Sequence, residues 1–586
     1  MKTLKQLICF SLFTLNSSFL TLKAQGTWTP VTNLAPDSSG GVMLLLTDGT
    51  VMVKGYSSGG WATPDSNWEL LTPDIHGSYI NGTWTQLPNM HYSRFGFATQ
   101  VMPDGNVYVG GGEHGTGGPT AELFNTITKT WTIIPGIPTV GNYNIYDGNS
   151  ELLYDGTVLQ GCQLGPTYYT YSYCGDNLIY NPITDSITVG AISFGSHDEA
   201  SWVKLRDSSV INVDMATTNS ERYIPQLKKW VHDANVPVQL YQPGYDESGA
   251  AFLLPNGNLF FIGGLDSTAI YIPSGDTNHG TWIKGPIMPS YGSSGQLGSW
   301  DAAAAMMPNG KILCILSATV GENPPFYFYE FDYITNTFTQ VGSPGGGDSV
   351  ASFLYFTMML DLPDGTVLYA LADSNRFYVY TPGSPAIPEG KPTIDNIDNS
   401  NCPTYKITGK GFNGICEGAA FGDDWQMATN YPIIRMTNGT DVYYARTTHW
   451  NRLGAVMTDS LEDTAYFTLP ATMPLGTYSL VVTANGNPSN STLFTPCTTG
   501  LSELKSESEK VKVYPNPTSN STTLLVNSDG KHYLELTDLT GRILKQDEFN
   551  GNEYQLSAGD LAKGLYFIRV YDGDKNVIGT SKIIVQ

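Results

Sequence analysis

Apolar stretches come in pairs along the first two-thirds of the chain. LLLTDGTVMV, QVMPDGNVYVGGG, ELLYDGTVLQG, VKLRDSSVINV, FLLPNGNLFFIGG, AMMPNGKILCIL and LDLPDGTVLYAL each give a short apolar run, a polar turn and a second apolar run. Such runs, broken by Asp-Gly or Asn-Gly, predict β-hairpins with two-residue turns, because these residues accept positive φ. The turns fall at Gly49, Gly105, Gly156, Ser208, Gly257, Gly310 and Gly365, spaced 49 to 56 residues apart. Between hairpins lie segments such as AELFNTITKTWTII, NLIYNPITDSITV and FYEFDYITNTFTQV, each reading as strand, polar turn, strand. Trp28, Trp84, Trp131, Trp230, Trp282 and Phe338 fit one place in the last strand of these units.

A repeat of about fifty residues with four strands predicts the blade of a β-propeller. Seven hairpins predict seven blades over 25–385. The last unit, ending RFYVYTPG, lacks its outer Trp strand, and the N-terminal GTWTPVT supplies one, so the ring closes with residues 26–32. After the Pro/Gly-rich PGSPAIPEGKP, residues 386–497 alternate apolar and polar, which predicts an immunoglobulin-like β-sandwich. TTGLSELKSESEK reads as a linker over 498–510, and a small β-sandwich is expected over 511–586. The fold class is therefore all-β.

Composition narrows the function. A formal charge of −23 excludes nucleic acid and anionic membranes as partners. Residues 1–24 read as a secretory signal peptide: Lys2 and Lys5, an apolar run from Leu7 to Leu22, then Ala24. Nothing later is apolar enough to span a bilayer. Export makes disulfides possible. Cys162 and Cys174 flank one short loop and are the expected pair. Cys402 has Cys416 or Cys497 as partner, and Cys314 inside KILCIL reads as a buried thiol.

The C-terminal segment carries VYPNP at 513–517, TDLTGRIL at 537–544, GLYFIRV at 564–570 and a closing SKIIVQ. It resembles the C-terminal sorting domain read by the type IX secretion machinery of Bacteroidetes, which implies passage across the outer membrane. Residues 26 to about 497 resemble the galactose oxidase family, a kelch propeller followed by an early-set immunoglobulin-like domain. The second domain carries FGDDWQMATNYPIIRMTNG and LPATMPLGTYSLVVTANGNPS. That resemblance implies copper-radical alcohol oxidation, with the metal held by a Tyr-His pair, a Tyr crosslinked to Cys and a C-terminal His. Here the Tyr-His positions read Tyr355 and Phe356. The crosslinked Tyr falls at Gly96, between Phe95 and Phe97, and no mature Cys precedes it. His449 in RTTHWNR is the one candidate for the C-terminal ligand. Copper needs several N, O or S ligands, so copper is not expected.

Residues nine to eleven before each hairpin turn are expected to start the inner strand, near the propeller axis. They are Ser38, Ser39 and Gly40; Arg94, Phe95 and Gly96; Tyr146 and Asp147; His197, Asp198 and Glu199; Asp246 and Glu247; Trp300 and Asp301; and Tyr355. Carboxylates on consecutive blades thus face an arginine and aromatics. Three uses stay open. The carboxylates cap backbone N–H groups. Asp147, Glu199 and Asp301 hold calcium. Or His197, Asp198, Glu199, Glu247 and Asp301 do acid/base work on a sugar that packs on Arg94, Phe95, Asp147, Asp246, Trp300 and Tyr355. Carboxylate separation is not readable, so hydrolase and lyase stay equal. His114, in GGGEHGTGG, reads as a solvated loop residue, and GSPGGGDS as a flexible loop with no phosphate role. The expected function is binding of a glycan or surface ligand outside the cell, with a carbohydrate-active enzyme as the alternative.

Overall fold

The computed structural model describes residues 25–586, except positions 38, 57–62, 138–142, 146–147, 162, 165–175, 196, 198–199, 216, 244–246, 320–323, 373, 418, 422–424, 428, 456–460, 498–510, 539–541, 574 and 576. The signal peptide, the 498–510 linker, the Cys162–Cys174 pair, Ser38, Tyr146, Asp147, Asp198, Glu199 and Asp246 lie outside the described residues. The chain forms two compact units. One comprises residues up to Asp398 with Thr404–Phe494, the other Asn399–Pro403 with Thr495–Gln586.

Among the described residues, each of the seven predicted hairpins lies in its own antiparallel array of four strands, one of these within a larger sheet. The inner strands include Ser39–Leu45, Ala98–Val101, Trp202–Lys204, Ala304–Met306 and Thr357–Asp361. The seventh array takes the N-terminal strand Thr27–Pro30 as its outermost member, with Trp28 opposite Tyr380. Arg376 Nη1 donates to Val31 O at 2.8 Å across the closure.

The hairpin turns correct the two-residue expectation. Leu46 N donates to Thr50 O at 2.8 Å and Gly49 N to Leu46 O at 2.9 Å, so three residues form the loop. Only the third is left-handed: Gly49 has φ 77°, and even Ser208 has φ 70° in its place. The preceding Asp keeps ordinary φ because its carboxylate captures the next strand. Asp48 Oδ1 accepts from Thr50 N at 3.2 Å and Thr50 Oγ1 at 2.6 Å. Asp155 with Thr157 and Asp364 with Thr366 repeat it. This is a type I turn followed by a left-handed residue.

The outer-strand tryptophans join each blade to the one before it. Trp28 Nε1 donates to Gly342 O at 2.6 Å, Trp84 to Asn33 O at 3.2 Å, Trp131 to Pro88 O at 2.9 Å and Trp282 to Ser220 Oγ at 3.1 Å. Their indoles pack on the neighbouring strands, as Trp131 does on Phe124 at 4.9 Å. In blade six the place falls to Phe338, against Phe331, which stacks on Phe260 of blade five at 3.9 Å.

The strands of 393–494 form one connected sheet path, from Thr393–Asp398 through Tyr478–Ala484 to Asn487–Pro488. They sit on the hairpin-turn side of the propeller. Tyr431 Oη donates to Leu45 O, and Arg446 Nη2 to Asp104 O at 2.8 Å. One hairpin, Ala419–Phe421 with Trp425–Met427, leaves this layer and enters the ring. Ala420 pairs with Ala304 and Ala419 with Ala305 on the inner strand of blade six. Its second strand packs against the inner strands of blades one and two.

The second unit has its own core, including Leu524, Leu534, Leu556, Ile568 and Ile583, between a three-stranded and a four-stranded sheet. Cys402 pairs with Cys497, which resolves that alternative, while Cys416 and Cys314 are buried free thiols.

Candidate functional site

Chain direction gives the propeller two sides. One carries the hairpin turns and the sandwich; the other carries the segments that enter the inner strands and the loops that follow the second strands. On this entry side an aromatic run crosses three blades. Phe353, Tyr355 and Phe356 lead into the inner strand of blade seven, Tyr56 follows the second strand of blade one, and Phe95 precedes the inner strand of blade two. Ring centroids lie 5.3 Å apart for Phe353–Tyr355, 4.5 Å for Tyr355–Phe356, 5.9 Å for Phe356–Tyr56 and 5.8 Å for Tyr56–Phe95. His114 stacks on Phe95 at 6.3 Å, and its Nε2 lies 3.0 Å from Glu113 Oε2. Tyr56 is buried, while the other rings are half-buried.

This run retains Phe95 and Tyr355 from the sequence reading and adds Tyr56, Phe353 and Phe356. Tyr56 was missed because it follows a second strand, and the count from the hairpin turns looked only at what precedes a first one. His114, read as a loop residue, joins the end of the run.

Other sequence candidates lie elsewhere. Arg94 does not face the axis: it is fully buried in blade two. Its Nη1 donates to Gly111 O, to Gly117 O at 2.8 Å and to Thr120 O at 2.9 Å; its Nη2 donates to Thr120 Oγ1 at 2.7 Å and Glu122 Oε1 at 3.1 Å. Burial pulls the guanidinium below its ordinary pKa, and Glu122 opposes this. Arg94 therefore ties down the loop that carries His114. His197 is likewise a core residue, with Nε2 2.8 Å from Glu221 Oε1 and its ring edge-on to Trp202 and Trp230. Burial pushes Glu221 up, but His197 and the N–H groups of Phe194 and Gly195 outweigh it, and the net shift is downward.

Glu247, Trp300 and Asp301 meet at the junction of blades five and six. Asp301 N donates to Ser248 O at 2.8 Å with left-handed φ of 51°, and Glu247 O accepts from Gln242 N at 2.9 Å. Trp300 is buried and Asp301 half-buried. Among the described residues no three His, Cys, Asp or Glu side chains group as metal ligands.

Sequence reading also missed the third-strand glutamates. Glu122 accepts from His91 N at 2.8 Å and Tyr92 N at 3.2 Å, Glu221 from Phe194 N at 2.8 Å, and Glu69 from Asp37 N at 2.9 Å. Each holds the segment entering its own blade. Their one visible sign is a lone acid in an apolar strand, as in AELFN.

Of the residues read at the copper positions, Phe356 is an aromatic neighbour of Tyr56, and Gly96 has left-handed φ of 58°. His449, the one candidate for the C-terminal ligand, is exposed on the hairpin-turn side, its N donating to Pro103 O at 2.5 Å. The segment that enters the ring is 419–427.

Comparison with known proteins gives partial matches. An F-box/kelch-repeat protein of Arabidopsis thaliana is 27% identical over 142 residues, 20% of this chain. The chain spans about a third, 34%, of that relative's length. A fungal alcohol oxidase of the AA5 family in complex with copper is 14% identical, with a TM-score of 0.47, over 80% of this chain and 99% of the other. A streptogramin B lyase is 11% identical, with a TM-score of 0.38, over 61% and 98%. Residues 512–586 match the secretion system C-terminal sorting domain. That match assigns the chain to the type IX route and to a place outside the cell, secreted or on the outer surface.

Proposed function

We propose that this exported protein binds glycan on the entry side of its propeller and is not a copper-radical oxidase. The aromatic run from Phe353 to His114 carries this reading. A pyranose ring presents C–H faces that pack on aromatic rings, and its hydroxyls need a few polar groups at the edge. The half-buried rings of Phe353, Tyr355, Phe356 and Phe95, joined through the buried Tyr56, offer such a strip, and Glu113, His114 and Tyr355 supply polar atoms beside it. The family positions for copper, read here as Phe356 and Gly96, support the negative half.

The test is affinity electrophoresis and calorimetry against a panel of polysaccharides, with Phe95→Ala and Tyr355→Ala as variants. Each variant is expected to weaken binding at least about tenfold, or about 1.4 kcal/mol, with the melting curve retained. Binding that is untouched by both changes sinks the proposal. New reducing ends or unsaturated sugars in the same incubations establish the enzyme reading instead, with Glu113 and His114 as the first residues to replace.

A further inference from the structure

We infer that the saccharide taken by this face is uncharged and not a polyanion; this rests on the glycan-binding reading above. Proteins that hold uronate, sulfate or phosphate groups present Arg or Lys to them, because a bare oxyanion needs charged donors. On the entry side every inward cation is already engaged. Lys54 Nζ is buried, donating to Asp65 Oδ1 and Gly55 O at 2.7 Å. Arg94 is enclosed by Glu122 and loop carbonyls. Arg376 reaches outward, its Nη1 donating to Val31 O just past the outermost strand of blade seven.

The remaining propeller cations are turned elsewhere. Lys129, Lys228 and Lys229 lie at the outer turns, and Arg206 and Lys311 flank the hairpin turns, all on the opposite side. Lys204 is paired with Glu151 and Arg222 with Asp233 inside the blades. Lys284 ends the outermost strand of blade five, three strand spacings or about 14 Å from the inner one. The undescribed positions between 25 and 428 contain neither Lys nor Arg, so no loop outside the described residues restores a cation. Glu113 stands at the end of the aromatic run, and the whole chain carries −23. A polyanion reaching this strip meets repulsion at long range and no partner at contact, whereas a neutral sugar needs only the rings and hydrogen bonds.

The experiment compares neutral glucans, mannans and galactans with alginate and chondroitin sulfate, at low and high salt, on the full secreted protein. Retention of at least one neutral polymer, insensitive to salt and at least about tenfold stronger than either polyanion at low salt, is the expected result. Glu113→Lys, an exposed change, is expected to raise alginate binding at low salt. If alginate or chondroitin sulfate binds as tightly as any neutral polymer, and Tyr355→Ala abolishes it, this inference is overturned while glycan binding stands. If no polymer of either class is retained, the glycan-binding reading falls and this inference with it.

Discussion

Asp361 ends the inner strand of blade seven with its side chain fully buried and, among the described residues, no hydrogen-bond partner for either carboxylate oxygen. Burial alone holds its pKa well above the carboxylate range. Below the unfolded pKa near 4 both states are protonated and nothing is lost, whereas at higher pH only the unfolded chain ionises freely, so folding loses up to about 1.4 kcal/mol per pH unit until the folded pKa is reached. Asp361→Asn copies the protonated acid, so urea midpoints measured from pH 4 to 8 should lose this downward slope and exceed wild type at pH 8. An unchanged slope would show that Asp361 is ionised in the fold. Glu122 is the carboxylate paired with the buried Arg94, so Glu122→Ala strands that charge and should cost about 3–5 kcal/mol by chemical denaturation. A loss under about 1 kcal/mol would show that the loop carbonyls alone stabilise Arg94. Arg94 and His197 were visible in the sequence, but their surroundings were not. Their partners Glu122 and Glu221 lie a full hairpin away, and the inner strands begin only at Ala98 and Trp202, leaving the preceding residues in the segments that these glutamates clamp.

The hairpins and the outer strands were readable because their causes are local. Alternating apolar residues set the strands, and one left-handed position sets each turn, at Gly in six cases and Ser208 in the seventh. The repeat of an aromatic at fixed distance then marked the contact with the preceding blade. Trp131 provides a graded check of that contact. Trp131→Phe keeps the ring but loses the bond to Pro88 O and should cost about 1 kcal/mol; Trp131→Ala should cost about 3–5 kcal/mol. Equal losses would mean that the hydrogen bond, and not packing, carries the contact. The N-terminal strand was readable for the same reason, since blade seven lacked a partner for Tyr380 and GTWTP supplied a Trp. What stayed hidden was the 419–427 hairpin. Its pairing with Ala304 and Ala305 joins segments far apart in sequence, and no periodicity encodes which ring it enters.

At the scale of the whole molecule, the two units meet different demands. The first, with its propeller, carries the aromatic strip. The second carries the sorting match at 512–586 around a separate core of Val511, Leu524, Leu534, Ile568 and Ile583. A domain with its own core folds without borrowing residues from the cargo, so removing it should subtract an address and not a fold. Deleting 511–586 leaves Cys402 and Cys497 in the chain, so the disulfide still forms in the periplasm. The truncated protein should therefore keep the urea midpoint of the propeller unit while accumulating in the periplasmic fraction. The converse fusion, residues 498–586 behind a foreign periplasmic protein, should carry that protein to the medium or the outer surface. If the truncated chain still reaches the medium, or the fused tail moves nothing, the tail is not what directs export. A truncated chain that stays inside but unfolds would show instead that the sorting unit stabilises its cargo, and fractionation with denaturation on one preparation separates these outcomes.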